Sequence, residues 1–404
     1  MTIDSSTASP EFDFPFEESE RLELDPRYLS LRRETPVIRV RLPHGTRDAW
    51  LVTGYDEARA VLSDPRFSLA ACTHRDVPRV TPNPLPEGSL LSMDGPEHAR
   101  LRRLVAKTFT MRRVESLRPR AVEVTEGLMD EMAEQGAPAD LVESFAMKLP
   151  IIMICELLGV PLVERARFHS FARTVLSNKG ITPEEIGIAA GEIYSYIVQL
   201  IAERREESAD DLISALIEVR DERGALSEHE LVLLVMSLLI GGNEGTANAI
   251  GNFMYTLLSN RHLWDQLVED PELVTDAIEE LLRVTPLVAG GGFTRVALED
   301  VQIGDVLVRK GEAVISQLDV TNRDERIFEG AEECDFSKKR KTHMSFGHGI
   351  HHCLGAALVR MEIAVALTGL IQRFPNLRIA VPEDELPWKK GTLDRGLHGL
   401  PVAW

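Results

Sequence analysis

Apolar residues recur at three- and four-residue spacing over 97–110, 112–135, 140–158, 183–207 and 262–283, the period of helices with one buried face. Strand-like runs are fewer. PVIRVRL and AWLVTG, within Pro36 to Gly54, flank the turn-prone PHGTRD and predict a hairpin. A small β region is expected after Phe293 and another from about Arg378. The proline-rich stretch from Ser68 to Met93 has little periodicity; so long a loop in a compact domain is usually functional or mobile. Residues 1–30 are polar with scattered aromatics and read as a loosely attached N-terminal arm. With no repeat, low-complexity tract or linker, the pattern gives one domain over 1–404, mainly α with a minor β portion.

The longest helical pattern opens at Ser227, which with Glu230 forms a capping-box signature, and runs to about Asn260. At 1.5 Å rise per residue it spans about 50 Å and must pass through the core. Yet its middle reads Gly241-Gly242-Asn243-Glu244-Gly245-Thr246. Each glycine costs about 1 kcal/mol against alanine inside a helix. Close helix packing explains such a stretch; so does room for a large flat cofactor, provided another segment supplies its ligand.

Composition narrows the classes. The chain has 404 residues, 44% of them hydrophobic, and a formal charge of −19. That balance suits a soluble globular protein and lacks the basic footprint of a nucleic-acid binder. Cys72, Cys155, Cys334 and Cys353 are widely spaced with no CxxC, which fits a reducing cytoplasm. Asp4, Glu11, Asp13, Glu17 and Glu18 give the N-terminus the wrong charge for a signal peptide. The longest apolar run, Leu231 to Gly242, is 12 residues and includes Ser237, whereas a membrane span needs about 20. A cytoplasmic protein with neither nucleic-acid nor membrane partner is expected.

The ligand-bearing segment is Phe346-Gly347-His348-Gly349-Ile350-His351-His352-Cys353-Leu354-Gly355, followed by the helical pattern AALVRMEIAVALTGLIQRF. Glycines permit a tight backbone path, and Cys353 falls at a helix N-terminus, where amide groups and the helix dipole favour a thiolate. A lone cysteine is more often a small buried hydrophobe. Zinc is the rival metal, since three histidines adjoin Cys353, but consecutive loop residues rarely converge on one tetrahedral ion.

This loop matches F-G-x-G-x-H-x-C-x-G at every fixed position and resembles the haem-binding signature of the cytochromes P450; the likeness runs from about Pro36 to the C-terminus. Glu280-Leu-Leu-Arg283 is similar to the family's E-x-x-R helix, a structural pair bracing the segment around Asn322-Arg323-Asp324. Asp94-Gly-Pro-Glu-His98-Ala-Arg-Leu-Arg102 resembles the helix whose His and Arg hold a haem propionate; Arg295 and His351 resemble the other propionate contacts. The resemblance implies the cytochrome P450 fold, with haem b between the long central helix and the helix after the cysteine loop. Cys353 is then the iron's axial ligand, shaped by Phe346, Gly347, Gly349 and Gly355, and O2 is co-substrate. It implies a monooxygenase for hydroxylation or epoxidation, a monomer supplied with electrons by a ferredoxin and its reductase.

The long helix departs from the family's [AG]-G-x-[DE]-T. Gly241, Gly242 and Glu244 match, but Gly245 stands at the threonine position and Thr246 follows, about 100° further round a regular helix. A helix bulge bringing Thr246 to the site, a substrate hydroxyl or water in its place, or different chemistry would each account for this; the second is favoured by the space a glycine leaves. Glu244, Gly245 and Thr246 are the candidate catalytic positions. A non-catalytic haem–thiolate protein, or peroxide-driven or coupling chemistry, is the alternative. Two basic runs, Arg100, Arg102, Arg103, Lys107, Arg112, Arg113 and Lys338, Lys339, Arg340, Lys341, are either solvated faces or a docking surface for an acidic ferredoxin. By resemblance, 69–93, Phe168 to Ile188, Leu234 to Asn243, Pro286 to Phe293 and Thr392 to His398 line the substrate pocket. The wording is similar to actinobacterial members that tailor macrolides and other polyketides in antibiotic biosynthesis.

Overall fold

The runs on either side of PHGTRD form strands and pair antiparallel, Val37 opposite Val52 and Val40 opposite Ala49, as their alternation requires. The computed structural model describes residues 3–4, 10, 12–16, 21–45, 48–164, 167–168, 170–171, 174, 182–223, 226–288, 290–338, 342–390 and 394–404. The strands are β1 (Ile3–Asp4), β2 (Phe12–Asp13), β3 (Val37–Arg41), β4 (Ala49–Val52), β5 (Phe67–Ser68), β6 (Ala139–Asp140), β7 (Arg295–Ala297), β8 (Val301–Ile303), β9 (Val306–Val308), β10 (Ala313–Ser316), β11 (Arg378–Ile379) and β12 (Pro401–Ala403). The first helices are α1 (Arg27–Glu34), α2 (Tyr55–Ser63), α3 (Gly95–Thr108), α4 (Met111–Ser116), α5 (Arg118–Gln135), α6 (Lys148–Leu158) and α7 (Pro183–Glu206). They continue with α8 (Leu212–Arg223), α9 (Glu228–Gly241), α10 (Glu244–Ser259), α11 (Arg261–Glu269), α12 (Val274–Val284), α13 (Leu318–Thr321) and α14 (Ala356–Arg373).

The chain folds into two compact units, each made of two stretches: 1–100 with 282–353, and 101–281 with 354–404. The first holds a six-stranded sheet, in order β2-β3-β4-β10-β7-β5, and the smaller sheet β1-β9-β8. Alternation sends Trp50, Val52 and Val314 to one face, under Ala58 and Val61 of α2 with Phe328 and Met344. Ala49, Leu51, Ala313 and Ile315 face the other side, where Phe14, Phe16, Tyr28 and Leu31 cover them.

Over the described residues 12–16 and 21–30, that second face has a packed segment where a loose arm is expected. Phe12, Phe14, Phe16 and Tyr28 form a run of aromatic contacts with ring centroids 4.8–5.8 Å apart, and β2 extends the sheet beside β3. The buried Arg32 binds Glu325 at 2.6 Å and Glu332 at 3.0 Å, pinning α1. A sheet with two apolar faces needs a second cover, and the scattered aromatics supply it. Glu17 and Glu18 lie outside the described residues.

The second unit is built on helices. Gly369 of α14 lets that helix approach α5 closely: a Cβ there would sit 3.0 Å from Thr125 Cγ2. Pattern 112–135 divides at Leu117 into α4 and α5, where Pro119 opens the second helix, and 262–283 divides at the turn Pro271–Leu273. Pattern 140–158 resolves into β6, a π-turn at Val142–Ala146 and α6. The capping box at Ser227 forms as expected. The single long helix does not: α9 ends at Gly241 and α10 starts at Glu244, with Asn243 at φ −110°, ψ −75°. Two glycines and an asparagine resist helical geometry too weakly to stop a helix alone, but together they mark its weakest point. Beyond the break α10 is buried almost all round, from Ala247 to Leu258, as a core helix must be.

Candidate active site

Around the cysteine loop, side chains substitute for regular structure. Asn322 Oδ1 accepts from the Met344 amide (2.7 Å), its Nδ2 donates to Ser345 Oγ (2.8 Å), and Ser345 Oγ donates to Leu282 O (2.6 Å). Arg283, fully buried, donates to the carbonyls of Asn322 (3.0 Å), Ala331 (2.7 Å) and Glu333 (2.9 Å) and lies over the Phe328 ring. Five donors in a rigid fork make arginine the side chain able to hold three carbonyls at once. Glu280, one turn earlier on α12, is also buried.

The loop then turns on two left-handed glycines, Gly347 and Gly349, both at φ +73°. A Cβ on Gly349 would come within 2.3 Å of Leu62 O, so the position tolerates no side chain. The Gly347 amide donates to Met344 O (2.8 Å) and the Cys353 amide to Phe346 O (2.9 Å). Cys353 is thereby presented to the outside of the loop, exposed, which removes the buried-hydrophobe reading. Gly355 caps α14, so the sulfur precedes a helix N-terminus as expected.

The same unit holds Asp94, His98, Arg295 and His351. His351 Nε2 lies 3.4 Å from Asp94 Oδ1, and its ring is 4.3 Å from that of the buried His98. Burial opposes charge on Asp94, but bonds from His351, Ser68 and the amides of Ala70 and Leu69 outweigh it and hold the carboxyl well below its usual range. Arg295, on β7, is 5% exposed; its guanidinium donates to Phe67 O (3.3 Å) and forms no ion pair among the described residues. Desolvation lowers its pKa, and a buried cation so placed calls for an anion. Beside it Cys72 is buried, its thiol pushed up to about 12 by desolvation, which leaves it inert. Arg102 follows His98 by four residues on α3, hence on the same helix face.

A family model described as Cytochrome P450 matches residues 185–391. Mycinamicin IV hydroxylase/epoxidase of Micromonospora griseorubida is 48% identical, covering 97% of this chain and 98% of the relative. The chain is a cytochrome P450. Nocardicin C N-oxygenase of Nocardia uniformis subsp. tsuyamanensis is 47% identical with the same coverage. The solved structure of the mixed-function P450 MycG matches with a TM-score of 0.91 at 47% identity, over 98% of this chain and 100% of that one. The fold is therefore the P450 fold, and the activity that of a P450 monooxygenase.

The P450 residues fit an iron porphyrin. Cys353 offers a soft anionic ligand, and Arg295, with the imidazoles of His98 and His351, offers cationic and donor groups suited to carboxylates. In the second unit, a Cβ added at Gly241 or at Gly245 would meet no atom within 4 Å. The helix break does not turn Thr246 outward: Thr246 is 2% exposed, whereas Gly245 is exposed. Glu244 is buried and bonded through Oε1 to Lys389 Nζ (2.6 Å).

Lys389 and the Asp94–His351 contact have no counterpart in the sequence reading, which includes Asp394 only within the pocket-lining stretch Thr392 to His398. Lys389 lies in a segment without periodicity, 145 residues from Glu244, and only tertiary structure unites them. Asp94 stood inside a recognised motif in which only His98 and Arg102 carried roles; its contact with His351, 257 residues on, needs tertiary structure to be seen. Lys338 spends its charge on Glu333 and Asp335, at 3.7 and 3.6 Å. Lys339, Arg340 and Lys341, like Thr392, Leu393 and all of 175–181, lie outside the described residues, as does the side chain of Lys107.

Proposed function

We propose that this P450 oxygenates a bulky macrolide- or polyketide-like secondary metabolite by hydroxylation or epoxidation. The observation that carries this reading is the 48% identity, over nearly the whole chain, to an enzyme named for both reactions on a mycinamicin. Cys353 would hold the iron of haem b, and His98, Arg102, Arg295 and His351 its propionates; Arg283 and Asn322 keep the cysteine loop in place. When bound, the haem supplies an iron centre for dioxygen activation, its thiolate ligand favouring O–O cleavage. The chain's own work is to position substrate, exclude water and deliver protons, the last through Glu244. Electrons come from a ferredoxin and its reductase, and the enzyme acts as a cytoplasmic monomer. A second reading, oxygenation at nitrogen, stands on the nocardicin relative. No observation favours a non-catalytic role.

The test is a visible titration of ferric protein with macrolides, their aglycones and amine-bearing peptides, after the ferrous–CO spectrum has confirmed thiolate ligation. A saturable low- to high-spin Soret shift with macrolides supports the first reading. A shift confined to the amines transfers the function to the second. A CO band at the position of a neutral ligand would remove Cys353 from the iron and the proposal with it.

A further inference from the structure

Within the second unit, α5, α14 and the turn Pro271–Leu273 with the first residues of α12 line a groove of about 690 Å³. Its apolar lining is open to solvent: Val122 of α5 is 39% exposed, and Pro271 is exposed too. Ala364, Thr368 and Gly369 of α14 are half-buried, and residues this small leave space that larger ones would fill. The charges at the groove are not equivalent. Arg118 is bonded to Glu115 at 2.8 Å and Arg373 to Asp130 at 3.1 Å, so both arginines are already neutralised. Glu126 and Glu272 are exposed and have no ion pair among the described residues. The lining thus carries two uncompensated negative charges and, among the described residues, no free positive one. Thr125, on the α5 side, is 1% exposed, and its Oγ1 has no hydrogen-bond partner among the described residues. A hydroxyl shut away from water without a partner has a free-energy cost that a ligand's polar group would offset.

We propose that this groove is a second, exterior ligand site, which takes a small molecule with an apolar body and a cationic amine. Glu126 and Glu272 hold the amine, and the body lies against Val122, Ala364 and Val365. The volume falls within the roughly 300–1,000 Å³ of small-molecule pockets, and an apolar lining with a few polar groups is their usual composition. Charge selects the class of ligand. An anion would meet two like charges, and a neutral molecule would desolvate both carboxylates without pairing them. A cation gains from both and is drawn in by the field of a chain at −19. The groove shares no residue with those assigned to the haem, the substrate or the redox partner, so the inference stands independently of the substrate reading.

The experiment titrates haem-loaded protein, with imidazole held on the iron, with octyltrimethylammonium, octanol and octanoate by calorimetry. The quaternary nitrogen has no lone pair to offer the iron, and the Soret band of the imidazole complex shows whether a probe enters the haem pocket instead. Octyltrimethylammonium should bind one site without moving that band and should slow amide exchange over 118–130 and 364–373. Octanol and octanoate should bind at least about 10-fold more weakly. The double variant Glu126→Gln/Glu272→Gln should lose about 10-fold for the cation alone, a few-fold for each solvated charge contact. Thr368→Trp should fill the groove and abolish binding; should it not fold, the double variant, exposed at both positions, still decides. Equal affinity for octanol, or native affinity in the double variant, overturns the cationic class. Slowed exchange confined to other segments, or a binding heat that vanishes once imidazole is on the iron, overturns the site itself.

Discussion

Glu362, midway along α14, is wholly enclosed, and neither carboxylate oxygen has a hydrogen-bond partner among the described residues. Desolvation raises its pKa well above the usual glutamate range, so the folded protein keeps it neutral. The native state then binds a proton that the unfolded chain releases once pH exceeds the ordinary carboxylate value. Stability from this group is complete below that value and is lost as pH rises toward the folded pKa. Glu362→Gln, which is neutral throughout, should flatten the profile: thermal midpoints close to native near about pH 5 and higher than native near about pH 9. Parallel profiles for the two proteins would mean that Glu362 is ionised in the fold. At this scale the sequence was legible where chemistry is local. Cys353 and its glycines could be placed because each fixed position answers a backbone or ligand requirement within ten residues. Glu362 could not, because an acid within a helical run reads as surface until the packing of α14 is known.

The join between α9 and α10 shows what two neighbouring glycines do differently. A Cβ on Gly242 would lie 2.8 Å from Ile154 Cδ1 and 2.9 Å from Leu238 O, whereas one on Gly245 would meet nothing within 4 Å. Gly242→Ala should therefore destabilise by about 1–3 kcal/mol through overpacking. Gly245→Ala should stabilise by up to about 1 kcal/mol through helix propensity alone. Denaturant unfolding of the two variants checks the contrast, and equal effects would mean that the join relaxes freely. Gly245→Thr restores a hydroxyl on the open face and should change the ratio of product to reductant consumed; an unchanged ratio would count against a substrate hydroxyl or water standing in for it. Elements announced by period, such as the β3–β4 hairpin and the helices, were readable from the pattern. The break at Gly242–Asn243 and the burial of Phe14 and Phe16 depend on partners distant in sequence, Ile154 for one and the sheet's second face for the other.

For the molecule as a whole, charge is the property that a redox partner meets first. The chain carries −19 overall, yet residues 101–113 contain no acid and include Arg102, Arg103, Arg112 and Arg113. Two like-charged acidic proteins repel at long range, so productive encounter with an acidic ferredoxin requires a local field of opposite sign. Arg112 is exposed and carries no ion pair among the described residues, whereas Arg113 lies 3.6 Å from the fully exposed Asp210 and is partly neutralised. Of these two arginines, Arg112 is therefore the stronger contributor, and Lys338 in the other basic run is similarly occupied by Glu333 and Asp335. Reversal by Arg112→Glu should slow reduction by ferredoxin about 10-fold at low ionic strength, at the low end of what steering supplies. Arg113→Glu should have a smaller effect. Both deficits should shrink as salt shortens the screening length to about 3 Å near 1 M, because exposed charges are screened first. Stopped-flow reduction across ionic strength measures this directly. A variant that reduces as fast as native protein at every salt concentration would place the docking surface elsewhere. A deficit independent of salt would mean that Arg112 acts in the bound complex, through contact rather than through the field that brings the proteins together.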